Sequence, residues 1–242
     1  KKSINSQFVL LLLIICSCSK VTVLKEASPE SVCMSVDRLV RIDNMLQQAV
    51  DSQWIAGAVG FIARDGKIIY NKAFGVSDLG KKTPMQTDNI FRIASQTKAI
   101  VSIAAMMLFE EGKFLLDDRV SKYIPEFDHP RVLDQLNPKD SSYTSIPAKR
   151  EITIRDLLTH TSGIDYGGNG LPAMGAVYGK AGVNMDFGND KVKLSDNIKI
   201  LGSLPLVHHP GEKWTYGLSV DVLGYLVEIW SGMTLDQFLR SR

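Results

Sequence analysis

The chain has 242 residues, of which 45% are hydrophobic, 22% are charged and 8% are aromatic, so it can bury one large core or two small ones. This composition excludes a disordered chain, a collagen-like repeat and a coiled coil, and three cysteines exclude a disulfide scaffold. The net charge is +2, from 28 basic and 26 acidic side chains, and it falls to zero if Lys1 and Lys2 are removed with a leader. No strong attraction for nucleic acid or for an anionic membrane surface is therefore expected.

The N-terminal residues are typical of an export signal. Lys1 and Lys2 precede an unbroken apolar run over residues 8–15. This run is too short to cross a bilayer, which requires about 20 residues.

Residues 15–18, Ile-Cys-Ser-Cys, resemble a bacterial lipobox, with a small residue just before the second cysteine. The resemblance implies a lipoprotein signal peptide over residues 1–18, with Cys18 as the lipid anchor and residues 19–30 as a short tether. The protein would then be exported and anchored to a membrane, in the periplasm or at the cell surface. A plain cleaved signal without a lipid is the alternative.

The first folded elements are predicted to be a helix and an antiparallel hairpin. Residues 35–48 show helical spacing of apolar side chains behind Ser35, a suitable N-cap. An apolar strand over 58–63 is followed by the turn Arg-Asp-Gly-Lys and a partner strand over 67–74.

The next landmark is an apolar helix. Residues 99–109 contain no charged residue and only one polar residue, Ser102, which predicts a helix buried on all sides and ending near Gly112. The glycine-rich stretch 163–188 predicts a long loop. Further helices are predicted over 153–159, 195–202 and 220–230, and from Thr234 onward.

The pattern at the C-terminus predicts that the chain is an N-terminal fragment of a longer protein. The sequence stops inside a predicted helix, and the hairpin over 58–74 has no later strands with which to form a sheet. A lone hairpin is marginally stable in water.

Ser95 and Lys98 form an S-x-x-K tetrapeptide at the start of the apolar helix. One helical turn separates the two side chains, so they lie on one face. A desolvated lysine loses proton affinity and can act as a base for the serine. The tetrapeptide alone is weak evidence, because it recurs at residues 17–20, and a serine N-cap beside a solvated lysine is the alternative.

Three blocks of sequence give the tetrapeptide a context. In order they are Phe-Arg-Ile-Ala-Ser-Gln-Thr-Lys at 91–98, Ile-Arg-Asp-Leu-Leu-Thr-His-Thr-Ser-Gly at 154–163, and Pro-Gly-Glu-Lys-Trp-Thr-Tyr at 210–216 with Asp-Val-Leu-Gly at 221–224. Together they resemble the serine β-lactamase-related hydrolases: class C β-lactamases, D-alanyl-D-alanine carboxypeptidases and family VIII carboxylesterases. The Tyr-x-x-x-x-Asp-Val-Leu-Gly form is most similar to the esterase branch.

The resemblance implies an α/β (α+β) fold of the β-lactamase and penicillin-binding-protein type. An incomplete domain over 31–242 would combine an antiparallel sheet domain, whose C-terminal strands are missing, with a helical domain over about 92–219. The site would lie where the two domains meet.

The resemblance also implies a mechanism. Ser95 matches the nucleophile that forms an acyl-enzyme, Lys98 the residue that helps to remove its proton, and Tyr216 the tyrosine that transfers protons. The backbone N–H of Ser95 would supply half of the oxyanion hole, and the other half and the third motif would follow residue 242. The substrate would be a small ester, amide or β-lactam, no cofactor would be needed, and no nucleic acid would be bound.

Two further residues are assigned to substrate binding. In class C β-lactamases an asparagine follows the tyrosine by two positions and binds the amide of the β-lactam, but here that position is Leu218. Because leucine cannot form that hydrogen bond, an apolar side chain beside Tyr216 is expected to favour an ester substrate over a β-lactam. Tyr166, in the glycine-rich stretch, is expected to line the substrate entrance, although a plain surface loop is the alternative.

Other motifs carry less information. Ser195 begins a Ser-Asp-Asn triplet like that of class A β-lactamases, but without further class A context it is expected to be a helix N-cap. The four histidines lack metal-ligand spacing, so no metal site is predicted. The predicted function is thus a serine hydrolase, most similar to a carboxylesterase, with a carboxypeptidase, a β-lactamase or a non-catalytic lipid-anchored binding protein as alternatives.

Overall fold

The computed structural model describes residues 24–137, 139–168, 171, 174–185 and 192–242. The chain divides into two compact units, Lys1–Arg92 and Ile93–Arg242. The predicted signal peptide over residues 1–18 and its Cys18 lie outside the described residues. Within the described ranges, no helix has the length and hydrophobicity that a membrane span requires.

The first unit, where it is described, combines one helix with a mixed sheet. Its elements are β1 (Lys25–Glu26), α1 (Val36–Asp51), β2 (Gly57–Arg64), β3 (Lys67–Asp78) and β4 (Thr83–Pro84). β3 lies between β1 and β2, parallel to the first and antiparallel to the second, and it also pairs with β4. The predicted hairpin is confirmed, and its turn residues Asp65 and Gly66 have positive φ angles of 51° and 71°.

The predicted N-terminal helix is also confirmed. The Ser35 hydroxyl caps α1 by accepting a hydrogen bond from the backbone N–H of Arg38 at 3.4 Å. Leu39 on α1 is buried in one cluster with Ile69 and Tyr70 of β3. This apolar contact holds the helix on the sheet.

The described part of the predicted tether differs from the expectation. Lys25 and Glu26 pair with β3, and the backbone N–H of Ala27 donates to the carbonyl of Ile68 at 2.9 Å. The backbone groups that a tether would expose to water are instead used in the sheet.

The second unit is mainly helical in its described residues. Its elements are α2 (Thr97–Glu110), β5 (Arg131–Leu136), β6 (Tyr143–Pro147), α3 (Ile154–Leu158), α4 (Met174–Ala181), α5 (Leu194–Gly202), α6 (Ser219–Ser231) and α7 (Leu235–Ser241). The predicted helices near 153, 195, 220 and 234 are confirmed. The helical unit extends past the predicted boundary at 219, since α6 and α7 belong to it, and the β5–β6 hairpin was not predicted.

The apolar helix α2 packs against α6 in the core of the second unit. Val101, Ala104 and Leu108 are spaced three and four residues apart and form its buried face. The prediction that this helix is buried on all sides is wrong for this chain, because Ile100 is 43% and Ile103 is 63% exposed on another face.

The glycine-rich stretch is not a continuous loop. It contains α4, whose side chains Met174, Val177 and Tyr178 are at most 3% exposed. Their three- and four-residue spacing puts them on one face, and burial of that face stabilises the helix despite the glycines.

The Ser-Asp-Asn triplet lies at the start of α5, and its asparagine holds a neighbouring segment of the backbone. Lys193 is the N-cap of α5, so the prediction that Ser195 is the cap is wrong, and Ser195 lies in the first turn. The side chain of Asn197 accepts a hydrogen bond from the backbone N–H of Asn184 at 2.7 Å and donates to its carbonyl at 3.1 Å.

Candidate active site

Ser95 lies where a tight turn meets the apolar helix. The 3-10 turn Ala94–Gln96 leads directly into α2. Ala94 has a φ of 44°, in the left-handed region that residues other than glycine rarely adopt. Backbone strain of this kind concentrates at functional sites. The turn leaves Ser95 exposed at the N-terminal end of α2, where the helix dipole favours negative charge on the serine oxygen.

Lys98 lies one helical turn after Ser95. Its Nζ donates a hydrogen bond to Ser95 Oγ at 3.5 Å. The same atom is 4.8 Å from the centre of the Tyr216 ring and 5.5 Å from that of Tyr166. The sequence predicts a desolvated lysine at this position, and in the structure Lys98 is half-buried. The ammonium group therefore contacts the serine and two aromatic rings together.

Tyr216 is the third candidate catalytic residue, and it contacts both Ser95 and Lys98. Its Oη is hydrogen-bonded to Ser95 Oγ, although 121 residues separate the two in sequence. This hydrogen bond, together with Lys98, lowers the pKa of Tyr216 below its ordinary value of 10.0. The fold thus brings the three predicted catalytic side chains to one point and stabilises the phenolate form of the tyrosine.

The backbone around Tyr216 is held on both sides. The N–H of Thr215 donates to the carbonyl of His160 at 2.8 Å, and its hydroxyl contacts His208 Nε2 at 2.9 Å. On the other side, a Cβ at Gly217 would meet the carbonyl oxygen of Ile164 at 2.0 Å. Only glycine allows this close approach, which fixes the position of the tyrosine.

Aromatic rings surround the phenol. Tyr166 stacks on Tyr216 with ring centres 5.9 Å apart, so the structure places this predicted substrate-binding residue beside the candidate catalytic group. The His160 ring lies 5.3 Å from that of Tyr216. Burial and the Lys98 charge lower the pKa of His160 below its ordinary value of 6.5, so the imidazole is neutral at neutral pH.

Leu218 does not occupy the predicted place in the substrate site. Its side chain is 2% exposed and belongs to the core of the second unit. It precedes the first residue of α6, and the turn that follows directs Val220 and Asp221 toward the cavity beside Ser95 instead.

Asp221 is the residue that sequence reasoning missed. It lines the same cavity as Ser95, Lys98 and Tyr166. Burial raises the pKa of its carboxyl group, and the charge of Lys98 acts in the opposite direction. An aspartate five positions after Tyr216, in the first turn of a helix, was the available signal.

No group of three or more histidine, cysteine or acidic side chains that could hold a metal ion occurs among the described residues. The polar side chains that line the cavity beside Ser95 supply two hydroxyls, an ammonium group, one phenol and one carboxyl group, and the phenol of Tyr216 is hydrogen-bonded to Ser95.

Comparison with known proteins agrees with this geometry. The family described as Beta-lactamase matches residues 42–242. Esterase EstB of Burkholderia gladioli is 36% identical over 212 residues, and lovastatin esterase of Penicillium rubens is 36% identical over 205 residues. The first alignment covers 86% of this chain and 50% of the relative, and the second covers 83% and 49%.

A solved structure of a hydrolase is also similar to this chain. EstCE1, described as a hydrolase with promiscuous acyltransferase activity, superimposes with a TM-score of 0.70 at 34% identity, covering 84% of this chain and 49% of that one. The chain therefore spans about half the length of these relatives. The fold is a mixed α/β fold of the β-lactamase and penicillin-binding-protein type, and the chain belongs to the β-lactamase family.

Proposed function

We propose that the protein is a serine hydrolase that forms an acyl-enzyme on Ser95 and acts on carboxylic esters. One observation carries the proposal: Ser95 Oγ is hydrogen-bonded to Tyr216 Oη and accepts a hydrogen bond from Lys98 Nζ at 3.5 Å. A nucleophile next to a group that can take its proton, with a third group oriented on both, is the arrangement that covalent catalysis requires.

The proposed reaction has two halves. The phenolate of Tyr216 removes the proton of Ser95 as Oγ attacks the ester carbonyl, and the Lys98 ammonium group stabilises the phenolate. The proton then passes to the leaving alkoxide, so an alcohol departs and the acyl group stays on Ser95. In the second half, Tyr216 removes a proton from water, water attacks the acyl-enzyme, and Oγ regains its proton as the carboxylic acid leaves.

A preference for esters over β-lactams follows from the lining of the cavity beside Ser95. The described residues that line it include no asparagine or glutamine, so they offer no side-chain amide to a β-lactam, and Leu218 is buried in the core. A polar group left without a partner in a partly dry site costs about 1–3 kcal/mol. An ester of a simple fatty acid has no such amide, and two of the relatives above are named esterases.

The test compares kcat/KM for p-nitrophenyl butyrate and for a cephalosporin in the full-length protein. We expect the ester to be favoured by about tenfold to a hundredfold, which is the cost of the unpaired amide expressed as a rate ratio. Ser95→Ala should abolish both activities. Faster turnover of the cephalosporin, or of a D-alanyl-D-alanine peptide, would contradict the ester preference. Binding of these compounds without turnover would contradict catalysis altogether.

We further propose that the protein is exported and anchored to a membrane through a lipid on Cys18. Support comes from the basic start, the short apolar run and the lipobox-like residues before Cys18. Cys18→Ala should release the protein from the membrane fraction into the soluble fraction. Cys16→Ala is the matched control, since it removes the neighbouring thiol and should leave the protein in the membrane fraction. Release by Cys16→Ala alone would contradict the assignment.

A further inference from the structure

A cavity of about 200 Å³ opens beside Ser95 and Lys98 within the second unit. Its apolar walls come from four helices: Val101 of α2, Leu194 of α5, Val220 of α6 and Leu235 of α7. None of these side chains has a role in the proton transfers proposed above. The cavity thus joins the candidate nucleophile to an apolar space.

The direction of the cavity follows from the spacing on α2. Lys98 and Val101 are three residues apart and lie on one face of the helix. Ser95 lies in the turn before α2, and Val101 lies in the second turn of the helix, four residues after its first residue, Thr97. The lining therefore extends from the serine along the first two turns of α2.

Gly224 of α6 lies at the apolar end. A Cβ added there would meet Leu235 Cδ2 at 3.2 Å, Leu194 Cδ2 at 3.6 Å and Val101 Cγ1 at 3.9 Å. Three methyl groups from three other helices thus surround the place where any other residue would carry a side chain. This end of the cavity is therefore apolar and narrow, and a side chain at residue 224 would have to push these methyl groups aside or extend into the cavity.

The polar part of the lining does not select a charged ligand. Lys98 and Asp221 carry opposite formal charges, and the remaining polar groups, on Ser95, Thr97 and Tyr166, are neutral hydroxyls. A carboxylate or an ammonium group on the ligand would meet one attractive and one repulsive charge. A neutral, apolar group is the best match for the walls beyond them.

On the basis of the proposed esterase function, we infer that this cavity binds the acyl chain of the ester and that Gly224 sets the longest chain that fits. The carbonyl carbon is placed at Ser95 Oγ, and the chain extends past Val101 toward Gly224 and Leu235. The volume of about 200 Å³ is below the roughly 300–1,000 Å³ of sites for drug-sized ligands, so the chain is short.

The test measures kcat/KM of the full-length protein for p-nitrophenyl acetate, butyrate, hexanoate and octanoate. Gly224→Leu fills the end of the cavity, so the ratio of hexanoate to acetate turnover should fall at least about tenfold, the effect of one methylene in an apolar pocket. Leu235→Ala enlarges the same end and should raise the ratio of octanoate to acetate. Acetate turnover is the reference within each variant, because an acetyl group does not reach Gly224 and the ratio then isolates the effect of chain length.

Gly179→Leu is the matched control. Gly179 lies on α4, is exposed, and has no atom within 4 Å of an added Cβ, so this variant should keep the wild-type chain-length profile. A profile that neither Gly224→Leu nor Leu235→Ala shifts would overturn the acyl-chain cavity while leaving the proposed esterase intact. If Gly224→Leu does not fold, Leu235→Ala decides alone. Wild-type protein that hydrolyses no ester of the series would overturn both.

Discussion

At the scale of single residues, the chemistry depends on the charge of one lysine. Lys98 Nζ contacts Ser95 Oγ and also lies 4.8 Å from the centre of the Tyr216 ring. Its position makes the phenolate of Tyr216 accessible at a lower pH, because a nearby cation stabilises the charged form. The lysine thus acts on the tyrosine as well as on the serine.

We predict that Lys98→Met shifts the rising limb of the kcat/KM pH profile to higher pH. The hydrogen bond with Ser95 and the Lys98 charge both lower the pKa of Tyr216, so removing the charge raises that pKa and delays formation of the phenolate. Turnover at neutral pH should fall by about 10²–10⁴-fold, the usual contribution of a positioned acid or base. Lys98→Arg keeps the charge and should keep the limb nearer its original pH. If the rising limb of the pH profile does not move in Lys98→Met, the limb reports a group other than Tyr216, and the prediction is contradicted.

The three candidate catalytic residues could be assigned from the sequence because short motifs carry them. Ser95 and Lys98 are one helical turn apart, and Tyr216 follows its own block. Leu218 and Asp221 could not be placed in this way. Which of them faces the cavity depends on where α6 begins, and the helix starts at Ser219, one residue after Leu218.

At the scale of the elements, an ion pair between a buried aspartate and a partly exposed arginine supports the segment that leads to Tyr216. The Asp156 carboxylate at the start of α3 is 4% exposed and accepts two hydrogen bonds from Arg150, at 2.6 and 2.9 Å. It also accepts from the backbone N–H of Thr153 and from the Thr161 hydroxyl. The segment after α3 contains His160, whose carbonyl accepts the hydrogen bond from the backbone N–H of Thr215. By ordering this segment, the Asp156 carboxylate helps to position the neighbouring Tyr216.

We predict that Asp156→Ala lowers the free energy of unfolding by about 2 kcal/mol, because it removes the hydrogen bonds from Arg150 and Thr161 and the Asp156 half of the capping box whose N-cap is Thr153. Burial alone would raise the pKa of Asp156, but the hydrogen bonds from Arg150, Thr153 and Thr161 outweigh it and hold the pKa below its usual range. The carboxylate therefore stabilises the fold above pH ~4, and this contribution is lost as the pH falls further.

Chemical denaturation at neutral pH and at pH 3 measures this effect. The difference between wild type and Asp156→Ala should shrink at the lower pH, because pH 3 lies below the ordinary pKa of an aspartate, so the unfolded chain takes up a proton that the folded carboxylate resists. Asp117→Ala is the control, since its ion pair with Arg155 is exposed and should matter little. Equal losses of stability in the two variants would contradict a special role for the buried Asp156 carboxylate.

Elements with local signals were predictable from the sequence, and elements that depend on distant contacts were not. The Ser35 and Thr153 caps and the Asp65-Gly66 turn are local, and their helices and hairpin were located correctly. The helix α4 was missed because its stability comes from burial of Tyr178 and its neighbours, which glycine content conceals.

At the scale of the whole molecule, the second unit holds all three candidate catalytic residues and the acyl-chain cavity. The first unit contributes a helix and a sheet around a separate small cluster. Family membership is shown by the match over residues 42–242, whereas the activity of the full protein rests on the chemistry of Ser95. The reactivity of Ser95 therefore decides whether the protein is a serine hydrolase.

The most direct measurement is covalent labelling of the full-length protein with a fluorophosphonate probe, followed by trypsin digestion and mass spectrometry. Cleavage after Arg92 and Lys98 gives a peptide, residues 93–98, that contains Ser95. We predict that this peptide carries the adduct in wild type and in Ser195→Ala, the control for the Ser-Asp-Asn triplet, and that Ser95→Ala is not labelled. Labelling that persists unchanged in Ser95→Ala, or an adduct on another serine, would contradict the assignment of Ser95 as the nucleophile.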